Sequence, residues 1–268
     1  PSISANDLRD ISSKEYQALL NDTKRPLFNR AFMGLYPPGS TIKPFFTIFA
    51  LSNSYTNWQE QIYDDGFFRY AESGRVFNAW REGGHGLTNL NKALVESSNP
   101  FFMNLATRYE KDSFTDFLDS GSFGKRLCVD CWPHQFSPLI SDQWKTKNFG
   151  SRLFRGDLVN MGVGQGYLSV TPLHLALISA MIAKKGDYEI PYLVQKEQDI
   201  QQLNFDLTEE DWKQLHITLT QVIYSRNGTG IKIQPGDMKL AGKTGTAQVK
   251  GINSKEEYDD LRENEEFR

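Results

Sequence analysis

Three short stretches of this chain carry residue types that together can perform acyl transfer: Ser40-Thr41-Ile42-Lys43, Ser97-Ser98-Asn99, and Lys243-Thr244-Gly245 followed by Thr246. The first offers a hydroxyl nucleophile and, one turn on, an amine able to take its proton. The second adds another hydroxyl and an amide, and the third a cation suited to holding a carboxylate. A serine hydroxyl attacks poorly at neutral pH unless a neighbour removes its proton, and a lysine can do so only where burial and a positive helix end favour its neutral form. Similar patterns recur without the right setting. Ser122 to Lys125 lies in a Gly-rich stretch with no apolar helix after it, and Ser225 to Asn227 runs into Asn227-Gly228, an ordinary turn signal.

The elements that must position these groups are partly legible. Ile42, Phe45, Phe46 and Phe49 recur at helical spacing, and Pro44 is tolerated only within a first turn, so the pattern predicts a helix beginning at about Ser40. That start leaves the serine at the positive end of the helix dipole and brings Lys43 round to the same face. The phenylalanines behind them read as core. Residues 54–90 lack a sustained period and read as a loop-rich insertion leading to the Ser97 stretch, after which Pro100 to Tyr109 reads as a helix. Thr171 and Pro172 make an N-cap and first helical position ahead of Leu175, Ile178 and Met181, with His174 a packed or surface residue of that helix. Thr208 with Asp211 forms a capping-box pattern for a helix through Trp212, Leu215, Leu219 and Val222, and Met238 to Val249 reads as a strand. Gly162 to Gly166 lacks the endings of nucleotide-binding loops and reads as chain passing close beneath the serine. Cys128 and Cys131, the only cysteines, leave redox chemistry, a metal site and a structural bridge open; a loop pair without a chemical role is the favoured reading.

With 268 residues, 39% hydrophobic and 13% aromatic, the chain can bury a full core. A net charge of −3 without a basic cluster argues against nucleic acid as a partner. The longest apolar run, Leu175 to Ala183, is too short to span a bilayer. Beginning at Pro1, the chain reads as a piece of a longer protein, with an anchor and a further domain expected upstream.

The trio resembles the signature of the penicillin-binding proteins. Tyr36-Pro37-Pro38-Gly39 before the serine, Gly162-Val163-Gly164-Gln165-Gly166-Tyr167, and Gly242 through Gln248 resemble the class B transpeptidases of that family; Ser12 to Asp22, Asn29-Arg30 and Gly84-His85-Gly86 resemble its branch serving rod-shape elongation in Gram-negative bacteria. The resemblance implies an α/β fold over 1–268: an antiparallel sheet flanked by helices, a mostly helical subdomain inserted at roughly 54–229, and closing strands and a helix beyond this chain. It implies that Ser40 is acylated by a peptidoglycan stem ending in D-alanyl-D-alanine, with Lys43 as base, Ser97 relaying the proton and Asn99 holding substrate. The backbone N–H groups of Ser40 and Thr246 would form the oxyanion hole, and Lys243, Thr244, Gly245 and Thr246 would bind the donor's carboxylate. Implied partners are β-lactams, a membrane glycosyltransferase and an elongation complex at the periplasmic face of the inner membrane, with no cofactor. The alternatives are a serine β-lactamase, for which no feature clearly supplies a deacylating water, and a non-catalytic β-lactam sensor or scaffold. Some relatives on this branch carry zinc on two aspartates, a histidine and a cysteine; here Asp64 and His85 match, but Ala79 and Ser98 fall at the other two places. Asp65 and Asn78 sit one position away. The expectation is no structural zinc, with Trp80 and Phe77 packing to order the 64–98 segment.

Overall fold

The computed structural model describes residues 3, 5–70, 74–128, 130, 131, 133–194, 201–203, 205–233 and 236–246. Its helices are α1 (Ala5–Arg9), α2 (Ser13–Asn21), α3 (Arg30–Met33), α4 (Lys43–Ser52), α5 (Leu90–Val95), α6 (Asn99–Ala106), α7 (Lys111–Ser120), α8 (Asp142–Phe149), α9 (Arg155–Met161), α10 (Pro172–Ala183) and α11 (Glu209–Tyr224). The strands are β1 (Gln61–Asp64), β2 (Phe67–Arg69), β3 (Val76–Asn78), β4 (Gly86–Asn89), β5 (Asp187–Tyr188) and β6 (Gln201–Gln202), which pair antiparallel as β1–β4, β2–β3 and β5–β6. No helix among the described residues is long and apolar enough to cross a membrane.

The core is aromatic and centres on α4. Phe45, Phe46 and Phe49 are fully buried, and they meet Phe114 and Phe117 of α7, with ring centroids 4.3 Å apart for Phe45–Phe117 and 4.8 Å for Phe49–Phe117. Each such ring contributes about 1.5–3 kcal/mol when taken out of water, so α4 is anchored mainly by this face. The cluster continues through α5, α6 and α9 to Trp212, Leu215 and Leu219 of α11.

Local caps fall where residue chemistry places them. Thr171 accepts from His174 N with Pro172 in the first turn, and the Thr208–Asp211 capping box closes the start of α11. The serine helix differs from the expectation in detail: Gly39–Ile42 form a 3-10 turn, and the α-helix begins only at Lys43. Pro44 is still in a first turn, so the tighter spiral precedes the proline-tolerant position. The helix expected from Pro100 to Tyr109 spans Asn99–Ala106. The described residues of 54–90 are more ordered than their pattern predicts, because short strands separated in sequence satisfy one another's backbone. The strand expected from Met238 is not formed over 238–246. No neighbour pairs with it among the described residues, and a strand requires one; Ala247 to Val249 and the charged stretch from Ser254 lie outside the described residues. Cys128 and Cys131 are joined in a disulfide.

Candidate active site

Ser40 sits in the 3-10 turn between two fixed points. Upstream, Tyr36 and Val170 exchange both backbone hydrogen bonds at 2.9 Å. Beneath, Gly39 N donates to Gly164 O at 2.9 Å, so the glycine loop runs directly under the serine. Gly164 has φ +77°, and a Cβ there would lie 2.0 Å from Gly39 O, so only glycine fits. Lys43 N–H donates to Ser40 O, closing the turn that carries serine and lysine one turn apart.

The second motif forms a kink between two helices. Asn89 caps α5 by accepting from Lys92 N, and α5 ends at Val95; Ser97 then takes φ +60°, a left-handed conformation costing about 1–2 kcal/mol for a non-glycine residue. Ser98 restarts the chain as the N-cap of α6, accepting from Phe101 N at 3.2 Å. The kink turns two carbonyls and an amide toward Lys43. Lys43 Nζ donates to Asn99 Oδ1 at 2.7 Å and to the carbonyls of Ser97 and Ser98 at 3.2 and 3.3 Å, and stands 5.1 Å from the Phe102 ring. Burial foremost, and then the charge of Lys243, hold this amine well below the ordinary lysine value, while Asp64 pulls the other way. Burial favours the neutral amine, whereas the three surrounding oxygens match the three N–H donors of the ammonium, and between these opposed pulls the group is placed to exchange a proton.

The third motif leans against the serine turn. A Cβ on Gly245 would meet Thr41 Cγ2 at 2.6 Å and Thr41 N at 3.2 Å, so Lys243-Thr244-Gly245 reaches Ser40's neighbour only because position 245 has no side chain. Lys243 Nζ donates to Thr244 O at 3.0 Å, and burial pushes its amine down to about 7. Thr246 follows, exposed; Ala247 and Gln248 lie outside the described residues. Ser40, Lys43, Ser97 and Asn99, with Lys243 to Gly245, thus converge on one region. The sequence look-alikes do not: Lys125 is tied at 2.9 Å to Asp119 on the surface, and Ser225 ends α11 in a turn closed by Gly228 N. His174 is buried, with Nε2 2.7 Å from Gly121 O, and burial lowers its pKa to about 4. It is a packing residue against Phe123.

Sequence reasoning missed Thr229. It follows the Asn227-Gly228 turn signal, donates from N to Val95 O at 3.2 Å, and has its Oγ1 2.6 Å from Thr244 Oγ1. One residue therefore ties the helix before the second motif to the third motif. The clue was only that a threonine follows the turn glycine, which is no signal of such a contact.

The segment where relatives are expected to hold zinc does not fit a metal here. Asp64 Oδ2 lies 2.6 Å from His85 Nδ1, a direct hydrogen bond, whereas two donors on one tetrahedral zinc stand roughly 3.3 Å apart. Ala79 has no donor, and Asp65 and Asn78 are exposed. Of the two aromatics expected to order the segment, Phe77 packs against the core beside Phe68, ring centroids 6.3 Å apart, whereas Trp80 is 56% exposed and lies against the His85 ring, centroids 5.8 Å apart. Hydrogen bonds to Asp64 add to that packing.

Residues 7–263 match the penicillin binding protein transpeptidase domain family, and the chain belongs to that family. It is similar to the peptidoglycan D,D-transpeptidase MrdA of Acinetobacter baumannii, with 32% identity over 93% of this chain and 38% of that protein. Its fold is similar to Pseudomonas aeruginosa PBP2 solved in complex with WCK 5153, at TM-score 0.80 and 28% identity, covering 89% of this chain and 56% of that one. It is equally similar, at TM-score 0.80 and 28% identity, to PBP2 in its complex with MreC from Helicobacter pylori, covering 89% of this chain and 44% of that one. The α/β transpeptidase fold follows from these matches, although the chain spans well under two thirds of the length of these relatives.

Proposed function

We propose that this chain is the acyl-transfer portion of a peptidoglycan D,D-transpeptidase of the elongation type. The observation that carries the reading is the Lys43 amine: fully buried, held by Asn99 and by the carbonyls of Ser97 and Ser98, and one turn from Ser40. Ser40 Oγ attacks the carbonyl between the two D-alanines while its proton passes to Lys43. The oxyanion is received by the backbone N–H groups of Ser40 and Thr246. The C–N bond breaks, and D-alanine leaves with a proton relayed through Ser97. An amine on a neighbouring stem then attacks the ester, gives up its proton by the reverse route and frees Ser40. Lys243, with the hydroxyls of Thr244 and Thr246, attracts the donor's carboxylate, and Asn99 aligns its backbone.

A β-lactam presents the same carboxylate and carbonyl, acylates Ser40 and keeps its leaving group attached. The partners are a membrane glycosyltransferase and an elongation complex, supported by the PBP2–MreC complex among similar structures. The work is placed at the periplasmic face of the inner membrane, and the described segment inserted between the first and third motifs acts as a mostly helical subdomain of the transferase. Brief exposure to penicillin followed by intact-mass and peptide mapping tests the reading: one adduct on Ser40 is expected, and an adduct on Ser122 or any other residue overturns the site assignment.

A further inference from the structure

The Ser97-Ser98-Asn99 kink is strained at Ser97, so something must hold it. Behind it lies a set of buried polar groups joined through Asp64, in which His85 Nε2 alone has no hydrogen-bond partner among the described residues. Ser98 Oγ donates to Asp64 Oδ2 at 2.6 Å, His85 Nδ1 approaches the same oxygen at 2.6 Å, and Gly66 N donates to Asp64 Oδ1 at 2.9 Å. Asp64, His85 and Ser98 are all buried. Antiparallel pairing brings this about: Asp64 ends β1 and His85 precedes β4, and the ladder that sets Asp64 opposite Gly86 continues with His85 N donating to Asp64 O at 3.1 Å. Ser98 faces both ways. Its side chain is bound to Asp64, while its carbonyl accepts from Lys43 Nζ.

Resting on the transpeptidase reading, we propose that Asp64 is a positioning residue for acyl transfer: its carboxylate, clamped by His85 and Gly66, holds the Ser98 hydroxyl and so fixes the kink that receives the catalytic lysine. An acceptor-only carboxylate requires both neighbours to donate, which assigns the proton of His85 to Nδ1. The half-exposed ion pair of Arg81 with Glu96, 2.7 Å, joins the same two segments at the surface. Exposed pairs of that kind hold geometry weakly.

The test is single-turnover acylation by a penicillin in the complete chain, resolving affinity from the acylation step. Because displacement of a catalytic group by about 1 Å costs on the order of 100-fold in rate, Asp64→Ala is expected to lower the acylation rate constant by about that factor while penicillin affinity stays within about threefold. Asp64→Asn, which keeps the shape and one acceptor, retains more activity, and Asp65→Ala leaves both constants unchanged. Parent-like acylation by Asp64→Ala, or a loss confined to affinity, overturns the positioning role while leaving the transpeptidase reading intact; a parent that takes no acyl group on Ser40 overturns that reading itself. Should Asp64→Ala fail to fold, Asp64→Asn carries the test: a fall in its acylation rate constant with affinity kept is expected, and parent-like values of both overturn the role. Dialysis against a chelator is expected to leave the parent's melting temperature and acylation rate unchanged. Stoichiometric zinc lost together with both would show that a metal, not the Asp64 clamp, holds the kink.

Discussion

Lys43, fully buried, and Lys243, partly buried, are assigned opposite states by their tasks, one neutral to take a proton and one charged to draw a carboxylate. Lys43→Arg should therefore abolish penicillin acylation nearly as fully as Lys43→Ala, since arginine keeps the charge but holds its proton at any working pH. An acylation rate for Lys43→Arg equal to the parent's would remove Lys43 as the base. Lys243→Arg should be far milder, and it should also change the pH profile. The Lys243 amine, pushed down to about 7 by burial, loses its charge as pH rises through that value, so carboxylate recognition weakens on the alkaline side. The ratio of acylation rate to dissociation constant, which reports the free enzyme, should fall above about pH 7 in the parent. In Lys243→Arg that limb should disappear, because arginine stays charged. Persistence of the same limb in the variant would assign it to another group. Both lysines were visible as motif residues, whereas the partners that set their states were not. Asn99 is within the next motif, but Asp64 acts on Lys43 by its charge and through Ser98, and Thr229 meets Thr244, only once the chain is folded.

At the scale of elements, what could be read from the chain was what is decided locally. Thr171-Pro172 and Thr208 with Asp211 are caps whose donors and acceptors lie within one turn, and both formed. The β1–β4 pair joins residues more than twenty positions apart through two short strands with no clean alternation, so residues 54–90 looked like loop. The Met238 strand was read from its residues alone, but a strand exists only with a neighbour. Gly162 to Gly166 was legible as a close approach because glycine has few other uses in such a run, and this contact makes a quantitative prediction. Gly83 has φ +74° with open space around its would-be Cβ, so Gly83→Ala should cost only the left-handed strain, about 1–2 kcal/mol. Gly164→Ala adds a clash with Gly39 O and should cost more than about 3 kcal/mol and slow acylation. Chemical denaturation of the two variants compares them directly. Equal losses would mean the glycine loop does not support the serine.

Across the whole molecule, one aromatic core joins the serine helix to α7 and α11, so the first motif and the helices inserted after it share their stability. Thermal unfolding followed through Trp58, Trp144 and Trp212 should therefore coincide with loss of acylation capacity in a single transition. Two separated transitions would show that the inserted helices form an independent unit. The turn that carries Ser40 is also walled by bare backbone on two sides, Gly164 against Gly39 and Gly245 against Thr41. For an enzyme of the proposed kind, that wall constrains how a bacterium can evolve under antibiotic selection. A drug that mimics the natural donor is hard to shut out by altering the wall, since a side chain at 164 presses on Gly39 and one at 245 on Thr41, the residues on either side of the nucleophile that cross-linking itself depends on. Escape has to come from the mouth of the cleft, from how much drug arrives, or from how much enzyme is made.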